Sequence, residues 1–227
     1  MLKMGSSALV LLIAGVLTVL LCLLMGEYLN INAMPVALGA MLVVNLLGAR
    51  PAYVTNMALT LIITLLTAKG TGLVTSQTMS VLLTCSLGGL VAIWMMRKNT
   101  TRVMVVVSGL VVGAVNFGVL VCVHALTSSD MSGVWSDMAY AIGGAVVSAV
   151  LCVGLQPILE TAFNLVTPSK LIELSNPNQP LLRRLMIETP GTYHHSMVVA
   201  NLAEAAAEAV GANALLARVG AYYHDIG

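Results

Sequence analysis

Charge is what this sequence has least of. Only 8% of its 227 residues are Asp, Glu, Lys or Arg, against about 25% in soluble globular chains, which excludes a soluble domain for most of the length. No single sign dominates either. Ten basic and nine acidic residues give a formal net charge of +1, which argues against a nucleic acid polymer as partner. Cysteine is scarce as well: Cys22, Cys85, Cys122 and Cys152 lie in apolar stretches with no paired spacing, so neither a disulfide framework nor a zinc cluster is expected. What the chain does have is apolar surface, with 59% hydrophobic residues and a mean hydropathy of +0.97. It reads as an integral membrane protein.

Six segments are free of Asp, Glu, Lys and Arg and approach the roughly 20 residues that a helix needs to cross about 30 Å of hydrocarbon. They are Ala8–Met25, Met34–Ala49, Ala52–Ala68, Thr78–Met96, Val103–Leu126 and Met138–Leu159. The second and third are short and parted only by Arg50 and Pro51, so a tight hairpin or a partly re-entrant pair is open. Six crossings place Lys3, Arg50, Arg97, Lys98 and Arg102 on one side with the C-terminal tail, and only Lys69 on the other, beside Glu27, Asp130 and Asp137. Basic residues stay in the cytoplasm, so both termini are expected there. The first segment is longer than a secretory core and lacks a small-x-small cleavage pattern before Glu27, so it is expected to be retained.

Inside the segments little stands out. Gly109 and Gly113 form a G-x-x-x-G that would let another helix approach closely, although 20 glycines make such a spacing easy to reach by chance. His124, at the outer end of the fifth segment, reads as an interfacial, hydrated side chain. No carboxylate lies at mid-membrane depth, which argues against an ion- or proton-coupled transporter.

Charge is also unevenly spread. Residues 1–159 carry nine charged side chains and the last 68 carry ten, so composition shifts near Glu160. Pro157 is expected to kink the sixth helix, which would run on to Val166. Thr167-Pro168 and the run Ser175 to Pro180 are breakers. The organisation expected is a membrane region over 1–166, a connector over 167–180 and a helical tail over 181–227. Arg183 and Arg184 read as the solvated face of a helix over Leu181–Glu188, with anionic lipid as the other reading.

The tail is well punctuated. Thr189 with Pro190, or Thr192, would start a helix whose apolar stripe is Val198, Val199, Leu202, Ala205, Ala206 and Ala209, with Gly211 as its stop. Glu204 and Glu208 read as solvated, and His195 as facing the buried side. A second helix from Asn213 carries Leu215, Val219, Tyr222 and Ile226 as its stripe and ends at His224-Asp225. A link of two residues makes the helices antiparallel neighbours, which brings His195 towards His224 and Asp225. Two imidazoles and a carboxylate suit a divalent ion, and Asp225 could bridge two.

The strings Pro190-Gly-Thr-Tyr-His-His-Ser196, Val199-Ala-Asn-Leu-Ala203 and Ala221-Tyr-Tyr-His-Asp-Ile-Gly227 resemble the start of an HD-type phosphohydrolase domain. They are most similar to that of the bacterial 7TM-HD membrane phosphodiesterases, which hydrolyse cyclic di-AMP. The six segments and the connector Leu171 to Arg184 are similar to the same family. The resemblance implies an all-α fold, a polytopic transmembrane helical bundle followed by the first helices of an all-helical HD domain. It implies His195 and His224 as metal ligands, with His194 a neighbour, and Asp225 as a catalytic ligand shared by two divalent ions, manganese or iron. The substrate would be a cyclic dinucleotide, attacked by a metal-activated water; the setting would be the bacterial cell membrane, multi-pass, with the HD part cytoplasmic. A homodimer stays open. The family's anchor, sensor domain, seventh helix and later HD ligands have no counterpart in these residues. The chain is therefore expected to be an internal fragment, inactive alone. A membrane receptor or scaffold with a non-catalytic tail, and an HD hydrolase of another nucleotide, remain as alternatives.

Overall fold

The computed structural model describes residues 4–72, 75–97, 101–127 and 133–226. Lys3, Lys98, Asp130 and Gly227, which enter the expectations above, lie outside them. The chain divides into two compact units, Met1–Leu165 and Val166–Gly227, and no strand occurs among the described residues.

The first unit holds α1 (Met4–Tyr28), a 3₁₀ turn (Ile31–Ala33), α2 (Leu38–Leu47), α3 (Ala49–Thr71), α4 (Ser76–Met96), α5 (Arg102–Thr127) and α6 (Val134–Ala162). Five of these helices, α1 and α3 to α6, are long and apolar enough to cross a membrane. Segment Met34–Ala49, expected as a sixth span, instead yields only the ten residues of α2. Pro35 removes a backbone donor just before it, and the polar Asn30 and Asn32 precede the break. The path nevertheless runs the depth of the bundle. Asn30 donates to Asp137 at the start of α6 (3.4 Å), and Asn45 donates to Gln156 (3.1 Å), about 28 Å further along α6 at 1.5 Å per residue. The first helix of the unit therefore terminates at the end where the last one begins. Residues Leu38 to Leu46 are all buried, as they must be if irregular backbone at membrane depth is to be shielded by protein.

Small residues set how closely the helices approach. A Cβ on Gly109 would lie 2.5 Å from that of Ala149, so the G-x-x-x-G of α5 seats α6 of the same chain. Gly144 lies against the backbone of Ala33 and Met34. Helix α6 runs through Pro157 and stops at Ala162, short of Val166. Asn164 is left-handed there (φ 48), a conformation that asparagine tolerates. Cys22, Cys85 and Cys152 are buried and Cys122 is exposed, all as free thiols. His124, expected to be merely hydrated, instead pairs with Asp137 (3.4 Å).

The second unit contains α7 (Pro168–Leu174), α8 (Pro180–Glu188), α9 (Pro190–Ala209) and α10 (Ala214–Tyr223). The stretch read as a connector thus carries a helix, started by the Thr167 side chain accepting from the Lys170 amide. Arg184 pairs with Glu188 on the exposed face of α8 (2.7 Å), as a solvated surface would. Helix α9 begins with Pro190 in its first turn and ends before Gly211, whose φ of 68 is the left-handed conformation that glycine adopts without cost. Gly211→Ala should destabilise the unit by about 1 kcal/mol; an unchanged melting midpoint would contradict this account of the α9–α10 turn.

Candidate functional site

Helices α9 and α10 pack as neighbours, and small side chains allow it. The buried positions of α9 are Ser196, Ala200 and Ala207, spaced by one turn and then two. The stripe expected from size alone is displaced, since Val198 and Leu202 are exposed. Leu182, Ala200, Ala221 and Tyr222 form the core of the unit, with Met197, Val199 and Ile226 against it. The stripe expected for α10 is close to the observed one, with Val219 and Tyr222 buried.

Two polar side chains, Arg218 and Tyr223, fix the end of α10. Arg218 spans the two helices, donating to Glu204 (2.6 Å) and to the Tyr222 hydroxyl (2.7 Å), so Glu204 is a partner in an interhelical pair rather than a solvated group. The Tyr222 hydroxyl first, and then the Glu204 carboxylate, hold the guanidinium in its charged form. Tyr223 donates its hydroxyl to the carbonyl of Leu174 (2.8 Å), tying α10 to α7, and burial raises its phenol above the ordinary value. Neither role was foreseen, because the partners lie 14 and 49 residues away in sequence.

Of the expected ligands, the fold brings two side by side. The rings of His195 and His224 lie 5.7 Å apart between centroids, inclined at 51°. Imidazoles whose nitrogens sit about 2 Å from one ion have centroids roughly 5 Å apart, so the spacing fits two ligands of a single ion. His224 approaches the Ala221 carbonyl through Nδ1 (2.7 Å). A carbonyl oxygen only accepts, so Nδ1 carries the proton and Nε2 keeps its lone pair for a ligand role. His195 is exposed rather than facing the buried side, with Ser196 next to it taking the buried position. The Ser196 hydroxyl has no hydrogen-bond partner among the described residues. Asp225 follows α10 in an exposed turn, and His194 is exposed beside His195.

The donor types fit a divalent ion, yet no three or more His, Cys, Asp and Glu side chains among the described residues converge on one point. Asp225 does not complete a cluster with the histidine pair. The arrangement is a pair of nitrogen donors with a carboxylate next in sequence, a partial set for one metal and well short of two.

Comparison with known proteins covers both units. The family model of a 7TM receptor with intracellular HD hydrolase matches residues 3–167, and that of the HD domain matches residues 192–227. The cyclic-di-AMP phosphodiesterase PgpH of Bacillus subtilis (strain 168) is 39% identical over 204 residues, covering 88% of this chain and 28% of that protein. PgpH of Listeria monocytogenes serotype 1/2a (strain 10403S) is 46% identical over 143 residues, 62% of this chain and 20% of its own length. The chain thus spans about a quarter of the length of these curated relatives. No solved structure matches. The family match over 165 residues and the helical bundle it falls on make this chain a multi-pass membrane protein, and it belongs to the family of 7TM receptors with intracellular HD hydrolases.

Proposed function

We propose that this chain supplies the membrane region and the opening helices of the catalytic domain of a metal-dependent phosphodiesterase that hydrolyses a cyclic dinucleotide, cyclic di-AMP. One observation carries the reading: His195 and His224, 29 residues apart in sequence, stand ring to ring inside the stretch that matches the HD domain. The relatives' name supplies the substrate. In this reading residues 1–166 form the transmembrane region, 167–180 the connection and 181–227 the beginning of the HD domain.

On this reading His195 and His224 would hold a metal and Asp225 would serve as its carboxylate ligand, with manganese or iron as the ions and further ligands needed to complete the site. Ions bound there supply Lewis acidity for attack by water on a phosphodiester. The chain's own residues do the positioning. The Ala221 carbonyl selects the His224 tautomer, and the Tyr223 bond to Leu174 together with the Arg218–Glu204 pair holds the end of α10, where His224 and Asp225 sit. Arg50, Arg97 and Arg102 lie at the end of the bundle where α3 starts, α4 finishes and α5 starts. Lys69 is at the opposite end with Glu27 and Asp137. That bias supports a cytoplasmic location for the basic end, both ends of the chain and the HD part.

Two nitrogen donors and one carboxylate do not hold two ions, so the 227 residues alone should show no turnover of cyclic di-AMP with manganese. Hydrolysis by the purified chain above a control lacking His224 would contradict the incomplete-site reading.

A further inference from the structure

Where α1 finishes and α4 begins, the first unit encloses a cavity of about 180 Å³ whose walls include Asn30, Asn32, Ser76, Gln77, His124 and Asp137. That is space for roughly six waters at about 30 Å³ each. Asp137 is its one carboxylate among the described residues. Glu27 and Tyr28 on α1 and Lys69 on α3 are exposed and do not line it. The start of α4 contributes only uncharged groups, and the 3₁₀ turn none that titrate.

The histidine reports what the carboxylate needs. Nδ1 of His124 lies 3.0 Å from the Leu120 carbonyl, which can only accept, so Nδ1 carries a proton. Nε2 lies 3.4 Å from Asp137 Oδ2. A hydrogen stands between them only when the ring is doubly protonated; a neutral ring turns its lone pair on the carboxylate. Among the described residues the other oxygen, Oδ1, accepts only a long hydrogen bond from Asn30 (3.4 Å). With His124 neutral, Asp137 faces the cavity without a counter-charge, and a partly desolvated charge seeks one.

We infer that this cavity binds a small organic cation with a primary ammonium group. Asp137 is its counter-charge, amide and hydroxyl oxygens of Asn30, Asn32, Ser76 and Gln77 are further acceptors, and protonated His124 is its internal competitor. Three acceptors satisfy an ammonium. A bare inorganic ion would fill little of the space, and an anion would meet the carboxylate. The inference concerns the bundle alone and stands apart from the reading of the HD part.

The test is the melting midpoint of the purified chain, titrated with ethanolamine at pH 8. A rise is expected for the wild type, one at least as large for H124Q, and none for D137N. Phosphatidylcholine nanodiscs with and without phosphatidylethanolamine separate a lipid headgroup from a free amine as the source of the ammonium. A shift from either, lost in D137N, supports the site. If D137N does not fold, Gln77→Leu, which fills the cavity without touching the ion pair, takes its place and should abolish the response. No shift from either source, or a shift retained by the disabled variant, overturns the inference.

Discussion

Gly144→Leu should leave the bundle unfolded or melting at least about 10 °C lower, whereas Gly143→Leu next to it should be tolerated. A Cβ at Gly144 would stand 2.6 Å from the carbonyl oxygen of Ala33 and 2.9 Å from that of Met34. Both are backbone atoms of the turn that opens the broken second crossing. They cannot retreat, because the helix that follows is buried along its length. Overpacking against flexible side chains costs about 1–3 kcal/mol, and against fixed backbone the cost is at the upper end or beyond. Net stabilities are only about 5–15 kcal/mol, so the loss is a large fraction of the whole. A Cβ at Gly143 meets nothing within 4 Å. Size-exclusion profiles and melting curves in detergent check the pair; equal behaviour of the two variants would contradict the close packing of α6 on that turn.

That contact shows where reading the sequence stops. The run Met34–Ala49 has the hydropathy of a span, and its division into a turn and a short helix depends on what α6 places beside it. Local chemistry was legible: Pro190 and Gly211 bound α9 as expected, and Val219 and Tyr222 mark the buried side of α10. The face of α9 was not. Hydropathy ranks side chains by apolar area and selects Val198 and Leu202, while close approach of two helices selects Ser196, Ala200 and Ala207. The same limit applies to polar partners. Nothing in the sequence couples His124 to Asp137 across a loop, or Tyr223 to Leu174. The meeting of His195 with His224 was legible because a two-residue link leaves two helices little choice but to lie antiparallel. The exposed setting of His195 and the failure of Asp225 to close a cluster were not, since both depend on what else packs around the helix ends.

Under the proposed function, His224→Ala in a full-length protein carrying this chain should lower manganese-dependent hydrolysis of cyclic di-AMP by about 10³-fold or more, and His195→Ala by a similar factor. Removing a ligand from a site with few donors weakens the ion and the Lewis acidity it brings, a contribution of several kcal/mol; each 1.36 kcal/mol is tenfold in rate. His194→Ala should change the rate by less than about threefold, because His194 is not the ring that faces His224. Excess manganese should restore part of the lost activity of the ligand variants, as a purely structural defect would not permit. A large loss in His194→Ala with a small one in His195→Ala would shift the assignment by one residue.

If His195 and His224 form the nucleus of a metal site, the purified 227-residue chain binds manganese through them, which electron paramagnetic resonance follows. Weak binding is expected from a partial ligand set, reduced at least about tenfold in His195→Ala and in His224→Ala and unchanged in His194→Ala. Manganese bound equally by the wild type and by the His195→Ala/His224→Ala double variant would contradict it.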